Sequence, residues 1–567
     1  MTQAIWETAP RNAAAEDELT SELGISPVVA SVLVSRGIAT PPEARSFLWP
    51  TLDDAHDPLL LPQMAEAVAR LDRALQAGET ILVHGDYDAD GVTATALLLR
   101  LLSKLRADVR YYIPNRITED FGITPKTLRK AADDGVTLVL TVDCGTSSHE
   151  AAEEAARLGI DVLVTDHHDV DGALPECLAV VNPRREDSAY PNRDLSGVGV
   201  AFKLGEALVT RRGLPLDSYQ RAYLDLVAVG TITDVCPLVG ENRTFVKLGL
   251  ERLEVTRKPG LRALMRLSRM NGRPSSRQVA FWLGPRLNAP GRLTHAAEAL
   301  ELLLLRDEPS ARRAAHRLDS LNRERQREQE RVFTEARTRV DRDCDLESER
   351  VVVLGSDKWP IGVVGPVASK LVELLHRPVV LISVQDSVAR GSARSIAGFD
   401  IGGALGQCPD EVLRGGGHTL AAGVTLHATN IDALRARLNE LAEESLAADD
   451  LQERLRIDRA VTLEEITIEL AEELELLAPF GQDNPQPRLL AERLALHDCD
   501  CVGSGGQHLK LLVGDASSIY EAIGFGMAQK AREIARTGIL DACFTATINE
   551  WGGTRSLQLQ LHDVRVS

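Results

Sequence analysis

The stretch Ile81-Leu-Val-His-Gly-Asp-Tyr-Asp-Ala-Asp-Gly91 constrains the fold of this chain more than any other. A short apolar run delivers His84, and Asp86, Asp88 and Asp90 follow at alternate positions. Carboxylates so closely spaced repel one another, and they persist together where a cation neutralises them or where all of them face water. The pattern opens like an EF-hand loop, which needs a bidentate Glu at its twelfth position. Leu97 stands there, inside the apolar run Ala96-Leu-Leu-Leu99, so the EF-hand is excluded. A cation at this place must take its other ligands from distant segments.

Such segments exist. Thr137-Leu-Val-Leu-Thr-Val142 reads as a buried strand and ends in Asp143-Cys-Gly145, while Asp161-Val-Leu-Val-Thr165 reads the same way and ends in Asp166-His167-His168. Asp234 follows the apolar stretch from Leu224 to Ile232. In open α/β sheets, ligands bind beyond the carboxyl ends of parallel strands. A lone Asp in such a place is usually a cap or a loop charge. Repeated carboxylate and imidazole endings point instead to one shared metal site with a mixed His/Asp ligand set.

At 567 residues the chain is too long for one core, and about three to four domains are expected. No apolar run is long enough to span a bilayer. The first residues lack the basic and apolar regions of a secretory signal. The eight cysteines are scattered; only Cys499 and Cys501 are close, without zinc spacing. They read as reduced thiols of a cytoplasmic protein, with Cys144 and Cys236 as small core residues. The net charge of −19 does not exclude nucleic acid, because binding needs only a local basic track. Arg286, Arg292, Arg390 and Arg394 are placed to form one.

The pattern predicts an α/β multidomain protein. Residues 1–55 read as a helical lead-in. Residues 56–300 alternate strand and helix and predict a parallel sheet with helices on both faces. Residues 301–345 form a long charged helix, of the kind that bridges domains. Residues 346–450 begin a second, smaller α/β unit. Residues 451–567 end in period-two strands such as Ser556-Leu-Gln-Leu-Gln-Leu561, which predict a small barrel. In the second unit, Arg390-Gly-Ser-Ala-Arg-Ser395 and Arg414-Gly-Gly-Gly-His418 place glycines beside Arg, Ser and His. They are either tight turns with incidental polar residues or phosphate-binding backbone. Gly284-Pro-Arg-Leu-Asn-Ala-Pro-Gly-Arg292 reads as a rigid loop presenting Arg286, Asn288 and Arg292 to a phosphate backbone.

His84-Gly-Asp-Tyr-Asp-Ala-Asp-Gly91, Val142-Asp-Cys-Gly145, Thr165-Asp-His-His168 and Thr233-Asp-Val235 together resemble the four motifs of the DHH phosphoesterases. The resemblance implies a parallel-sheet DHH domain, a smaller α/β DHHA1-type nucleic-acid-binding domain and a C-terminal OB-fold-like β-barrel. It implies a single-stranded-DNA-specific 5′→3′ exonuclease of recombination and repair, releasing 5′-mononucleotides through two divalent cations. Mn²⁺ is favoured and Mg²⁺ is the second choice. One ion would take His84, Asp88 and Asp143, and the other Asp90, Asp143, His167 and Asp234, with Asp143 bridging. His168 would contact the scissile phosphate or the leaving oxygen, and Asp86 and Asp166 would orient the ligands. Arg116 would meet a 5′-phosphate and Phe121 would stack near a base. Arg286, Asn288, Arg292, Ser392, Arg394, Gly417 and His418 would hold the strand. Pro360 stands where the family pattern has an imidazole. Single-strand-binding protein and a DNA helicase are the implied partners, and the chain is expected to be a monomer. A DHH enzyme acting on short oligonucleotides and a non-catalytic DNA scaffold are the alternatives.

Overall fold

The computed structural model describes residues 4–119, 122–170, 172–270, 272–385, 387–515, 518–551 and 554–566. Its first large sheet contains Thr80–Gly85 (β1), Asp108–Tyr112 (β2), Leu138–Val142 (β3), Asp161–Thr165 (β4) and Ala179–Val181 (β5). All are parallel, in the order β2-β1-β3-β4-β5. Side chains alternate across the sheet. Ile81, Val83, Leu138 and Leu140 pack with the helices on one face. Leu82, Val139, Val162 and Val164 pack with Leu128, Ala151 and Ala155 on the other. Burial on both faces is why these strands read as unbroken apolar runs. The chain leaves β1 towards β2 and returns to β3 on the opposite side. The crevice of this doubly-wound sheet therefore opens at the carboxyl ends of β1 and β3.

The helices that matter for the site are Ala89–Lys104 (α1), Gly197–Arg211 (α2), Leu216–Thr233 (α3), Gly284–Leu293 (α4), Glu308–Asp343 (α5) and Ile361–Leu375 (α6). The stretch before Asp234 lies in α3, so this candidate ligand comes from a helix end and not a strand end. The predicted loop from Gly284 to Arg292 is helical, preceded by a π-helical turn at Val279–Leu283. Pro285 stands in the first turn, where a missing N–H costs nothing. The glycines serve close packing here: a Cβ on Gly284 would lie 2.5 Å from Thr233 Cγ2, and one on Gly291 2.7 Å from the Tyr87 carbonyl oxygen.

Helix α5 has 36 residues, about 54 Å at 1.5 Å per residue. Ala311, Ala315 and Leu318 join the core of the first unit, while Val332, Ala336 and Val340 join that of the second. The second sheet holds Val352–Ser356 (β6), Val379–Gln385 (β7), Val388–Arg394 (β8), Arg414–His418 (β9) and Ala421–His427 (β10), in the order β9-β10-β8-β7-β6. The glycine-rich segments are thus strands and not tight turns, with Gly416 opposite Gly423 and Gly423 opposite Ser392.

The C-terminal strands Leu489–Val502 (β11), His508–Gly514 (β12), Ile519–Gly524 (β13), Ile539–Trp551 (β14) and Thr554–Val566 (β15) close as β11-β12-β13-β15-β14 and back to β11. The helical lead-in does not stand apart from this barrel. Leu19, Val29, Leu33 and Leu48 share one core with Leu470, Leu474, Leu489 and Phe544, and Ile5–Thr8 pairs in parallel with Arg454–Ile457. The lead-in is too short to bury its own apolar faces, and the barrel supplies the missing surface.

Candidate metal centre and substrate cleft

Strand β1 carries His84 to the crevice fully buried. Asp88 caps α1, accepting from the backbone N–H groups of Asp90 (2.9 Å) and Gly91 (3.1 Å). Asp90 sits in the first turn of α1 and accepts from Gly197 N (2.8 Å) and Val198 N (3.0 Å), at the N-terminus of α2. Gly197 is dictated by contact, because a Cβ there would lie 2.4 Å from Asp143 Oδ1. Asp143 leaves β3 with φ of 63°, a left-handed conformation uncommon outside glycine. His167 Nε2 lies 3.0 Å from Asp143 Oδ1, 3.7 Å from Asp234 Oδ2 and 4.0 Å from Asp90 Oδ2.

Asp166 organises the adjoining histidines. Its Oδ1 accepts from the backbone of His167 (2.8 Å) and His168 (3.2 Å) and lies 2.7 Å from His168 Nδ1. Its Oδ2 accepts from Thr146 N (2.9 Å). Burial opposes charge on His168, but the hydrogen bond and field of Asp166 outweigh it, raising the imidazole to about 9. The same bond holds Asp166 far below the usual carboxylate range despite its burial.

The other groups shift the opposite way. Burial first, then neighbouring carboxylates, pushes Asp86, Asp90 and Asp143 well above ordinary carboxylates. Asp234 rises to about 7, through burial and then Asp88. Burial drives His84 down to about 4 and His167 to about 3, so both are neutral imidazoles near pH 7. His84 Nε2 and Asp86 Oδ1 are buried without a hydrogen-bond partner, and buried Asp143 Oδ1 has the His167 ring nitrogen beside it at 3.0 Å. Neutral imidazoles, crowded carboxylates and unpaired buried lone pairs fit divalent cations with nitrogen and oxygen ligands. Among the described residues, three groups bring ligand atoms within 4.8 Å: Asp86, Asp88 and Asp143; Asp143, His167 and His168; and His167, Asp234 and Cys236. Asp86, expected to orient the ligands, stands in the first of these groups.

Beside this centre, a cavity of about 480 Å³ separates the first unit from the second. Tyr87, Arg116, His168 and Arg292 line one wall, and Ser392, Arg394, Gly417 and His418 the other. Arg292 donates to the Gly362 carbonyl (3.2 Å), and Arg394 to Ser392 Oγ (2.8 Å) and the Ala393 carbonyl (2.7 Å). Burial, then the charge of Arg116, lowers both guanidiniums, Arg292 to about 9. Across the cavity His418 Nδ1 lies 2.6 Å from Asp169 Oδ2, and the rings of His168 and His418 stack at 6.4 Å. Crowded cations facing glycine-rich backbone make a site for a phosphate.

Two expected strand-binding residues have other partners. Arg286 is bound to Asp319 of α5 (2.8 Å) and to the Trp282 carbonyl (2.6 Å). Asn288 Oδ1 accepts from Ala89 N (2.8 Å). Both fix α4 against its neighbours and lie outside the cavity lining. Arg390 is exposed on the same face of β8 as Ser392 and Arg394. Pro360 is exposed and caps α6 without a side-chain hydrogen bond, next to buried Trp359. Phe121 lies outside the described residues. Tyr87, Asp169 and Arg325 were not anticipated. Tyr87 sits beneath the Arg116 guanidinium at 4.8 Å, and Arg325 on α5 is close enough to depress Arg292. Arg325 lies in a run of alternating charges that reads as a solvated face, and nothing in that run sets it apart.

The family models agree with this architecture. Residues 80–231 match the DHH family, N-terminal domain; residues 348–444 the DHHA1 domain; and residues 457–563 the RecJ OB domain. The single-stranded-DNA-specific exonuclease RecJ of Bacillus subtilis is 39% identical over 99% of this chain and 71% of its own length. Its Escherichia coli counterpart is 33% identical over 96% of this chain and 97% of its own. The crystal structure of RecJ from Thermus thermophilus with Mn²⁺ matches at a TM-score of 0.86 and 32% identity, over 99% of this chain and 79% of that one. The Mg²⁺ complex of that protein matches at 0.80. Three domain models in order and full-length relatives show that this chain belongs to the RecJ family of single-stranded-DNA-specific exonucleases, within the DHH phosphoesterases.

Proposed function

We propose that this chain is a 5′→3′ exonuclease that hydrolyses single-stranded DNA to 5′-mononucleotides. The observation that carries the reading is one cavity. It joins His168 of the metal-centre loop to Ser392, Arg394 and His418 of the second sheet, with Arg116 and Arg292 between. Two divalent cations, Mn²⁺ ahead of Mg²⁺, would neutralise phosphate charge and supply a nucleophile near neutral pH. His84, Asp88 and Asp143 would hold one, and Asp90, Asp143, His167 and Asp234 the other. Asp166 keeps His168 protonated, so its imidazolium offers a hydrogen bond to the scissile phosphate or the leaving oxygen. Arg292 and Arg394 draw the phosphate towards the glycine-rich wall, and Arg116, backed by Tyr87, receives the 5′-phosphate. The strand then leaves towards the barrel, a fold suited to single strands. The chain would act as a cytoplasmic monomer alongside single-strand-binding protein and a helicase.

The test is a digestion of 3′-labelled single-stranded DNA with Mn²⁺, beside a duplex control and an Asp143→Ala variant. A ladder shortening from the 5′ end, absent from both controls, supports the reading. Cleavage confined to strands of a few nucleotides would make this a short-oligonucleotide phosphodiesterase. Binding without cleavage would make it a scaffold.

A further inference from the structure

A second cavity, of about 710 Å³, shares no lining residue with the cleft. Four cations line it: Arg100 and Lys104 of α1, Arg257, and Arg306. None of the four makes an ion pair among the described residues, and no carboxylate lines the cavity. The carboxylates close by are engaged elsewhere. Glu301 accepts from the Tyr111 hydroxyl (3.3 Å), and Asp225 pairs with Lys258 (2.6 Å). In a chain of net charge −19, cations gathered without counter-charges mark a place for an anion.

Arg100 is fixed from behind. It donates to the carbonyls of Leu303 (3.0 Å) and Leu305 (3.4 Å), and its Nη1 has no acceptor among the described residues. Burial lowers this guanidinium, and the charge of Arg306 adds to the effect. Tyr223 of α3 is only 6% exposed, yet its hydroxyl has no hydrogen-bond partner among the described residues. A buried phenol usually finds one. This phenol lines the cavity instead. The helix Pro259–Leu267 also begins at the cavity without a side-chain cap, which adds the positive end of its dipole.

The remaining lining is not polar. Tyr111, 38% exposed on the edge strand β2, stands with Val109, Leu304 and Leu305. A phenol ring and aliphatic surface suit a base, while several cations exceed what one phosphate needs. The volume is that of a small-molecule site. It is also separate from the candidate metal centre. Helix α1 carries Asp90 near its start and Lys104 at its end, fourteen residues or about 21 Å along the axis.

We propose that this cavity is a second ligand site, for a nucleoside polyphosphate. Arg100, Lys104, Arg257 and Arg306 receive the phosphates, Tyr223 donates its buried hydroxyl, and Tyr111 packs against the base. The inference does not rest on the exonuclease reading.

The test is calorimetric titration of the full-length chain in EDTA, so that nothing binds through a metal ion. The probes are adenosine and thymidine triphosphates, the two nucleosides, inorganic triphosphate and a thymidylate dodecamer. At least one nucleoside triphosphate should bind more tightly than its nucleoside and than inorganic triphosphate. Lys104→Glu with Arg257→Glu changes two exposed side chains and should weaken that binding about tenfold or more. Lys104→Arg with Arg257→Lys should keep it. Tyr223→Phe should weaken it about three- to tenfold, and carries the test if the charge-reversed pair does not fold. Arg394→Ala, in the cleft, should leave it unchanged. The proposal is overturned if neither triphosphate binds, or if inorganic triphosphate binds as tightly. It also falls if Arg394→Ala causes the loss, which places the nucleotide in the cleft. Equal loss of dodecamer binding in the charge-reversed pair would make this surface a strand contact and not a nucleotide site.

Discussion

The first α/β unit meets the rest of the chain at two faces, and arginine serves each to opposite effect. Towards the barrel, Arg243 is 1% exposed and lies 3.6 Å from the Phe47 ring centroid. It donates to the carbonyls of Phe47, Leu476, Ala478 and Pro479. Towards the second unit, Arg292 and Arg394 are half-buried, but they reach few acceptors and crowd one another and Arg116. Burial lowers Arg243 to about 9, and Arg292 likewise. Depth alone therefore does not separate a joint from a binding site. The donors left over do: Arg243 has satisfied its own on backbone, while the cleft arginines have donors to spare, as the proposed phosphate contact requires.

The sharpest way to divide the two faces is to remove the chemistry and leave both intact. Asp143→Asn should cut kcat about a thousandfold or more, with strand binding retained. The same substitution should raise the melting temperature of the metal-free protein, since it relieves one carboxylate in the crowded, buried set. A fall in that melting temperature would break the account of the site. Arg243→Ala comes next. It strands several buried carbonyls and should cost about 3 kcal/mol in urea unfolding, without changing kcat at saturating substrate.

Arg394→Ala should do the reverse. It should weaken single-strand binding about tenfold and reduce the slope of log K against log salt by about one, with little change in unfolding. Lys247 sharpens the comparison through pH. It donates to the Leu48 and Leu476 carbonyls, and burial lowers it from 10.5 to about 8. Between those values the unfolded chain holds the proton and the folded chain does not, so this group makes stability rise with pH across that window. Lys247→Met should flatten the rise measured by denaturant melts. The smallest effect belongs to His418→Ala, which removes a largely exposed pair with Asp169 and should cost less than about 1 kcal/mol of stability.

The candidate metal centre was legible because its candidate ligands announce themselves mostly as strand endings. His84, Asp143 and His167 each follow an apolar run, and the parallel sheet alone brings such endings together. The barrel and the bridging helix were legible from periodicity. Helix α4 was not. Gly284, Pro285, Pro290 and Gly291 carry the composition of a loop, and only packing against Thr233 and Tyr87 shows why a helix needs them. Arg286 and Asn288 were misleading for a related reason. A donor or acceptor in a promising motif is indistinguishable, in one dimension, from one already engaged by Asp319 or Ala89. The lead-in was separated from the barrel because hundreds of residues lie between Leu33 and Leu489, although one core holds both.

That shared core has a consequence for the order of events during synthesis. Leu19, Val29, Leu33 and Leu48 leave the ribosome hundreds of residues before Leu540, Phe544, Leu559 and Val564. Ile5–Thr8 must likewise await Arg454–Ile457. The lead-in's apolar residues have no barrel to pack against until that distant segment has been made. Contacts of such long sequence separation close slowly. The opening segment is therefore where a translating chain of this kind would most need protection from aggregation.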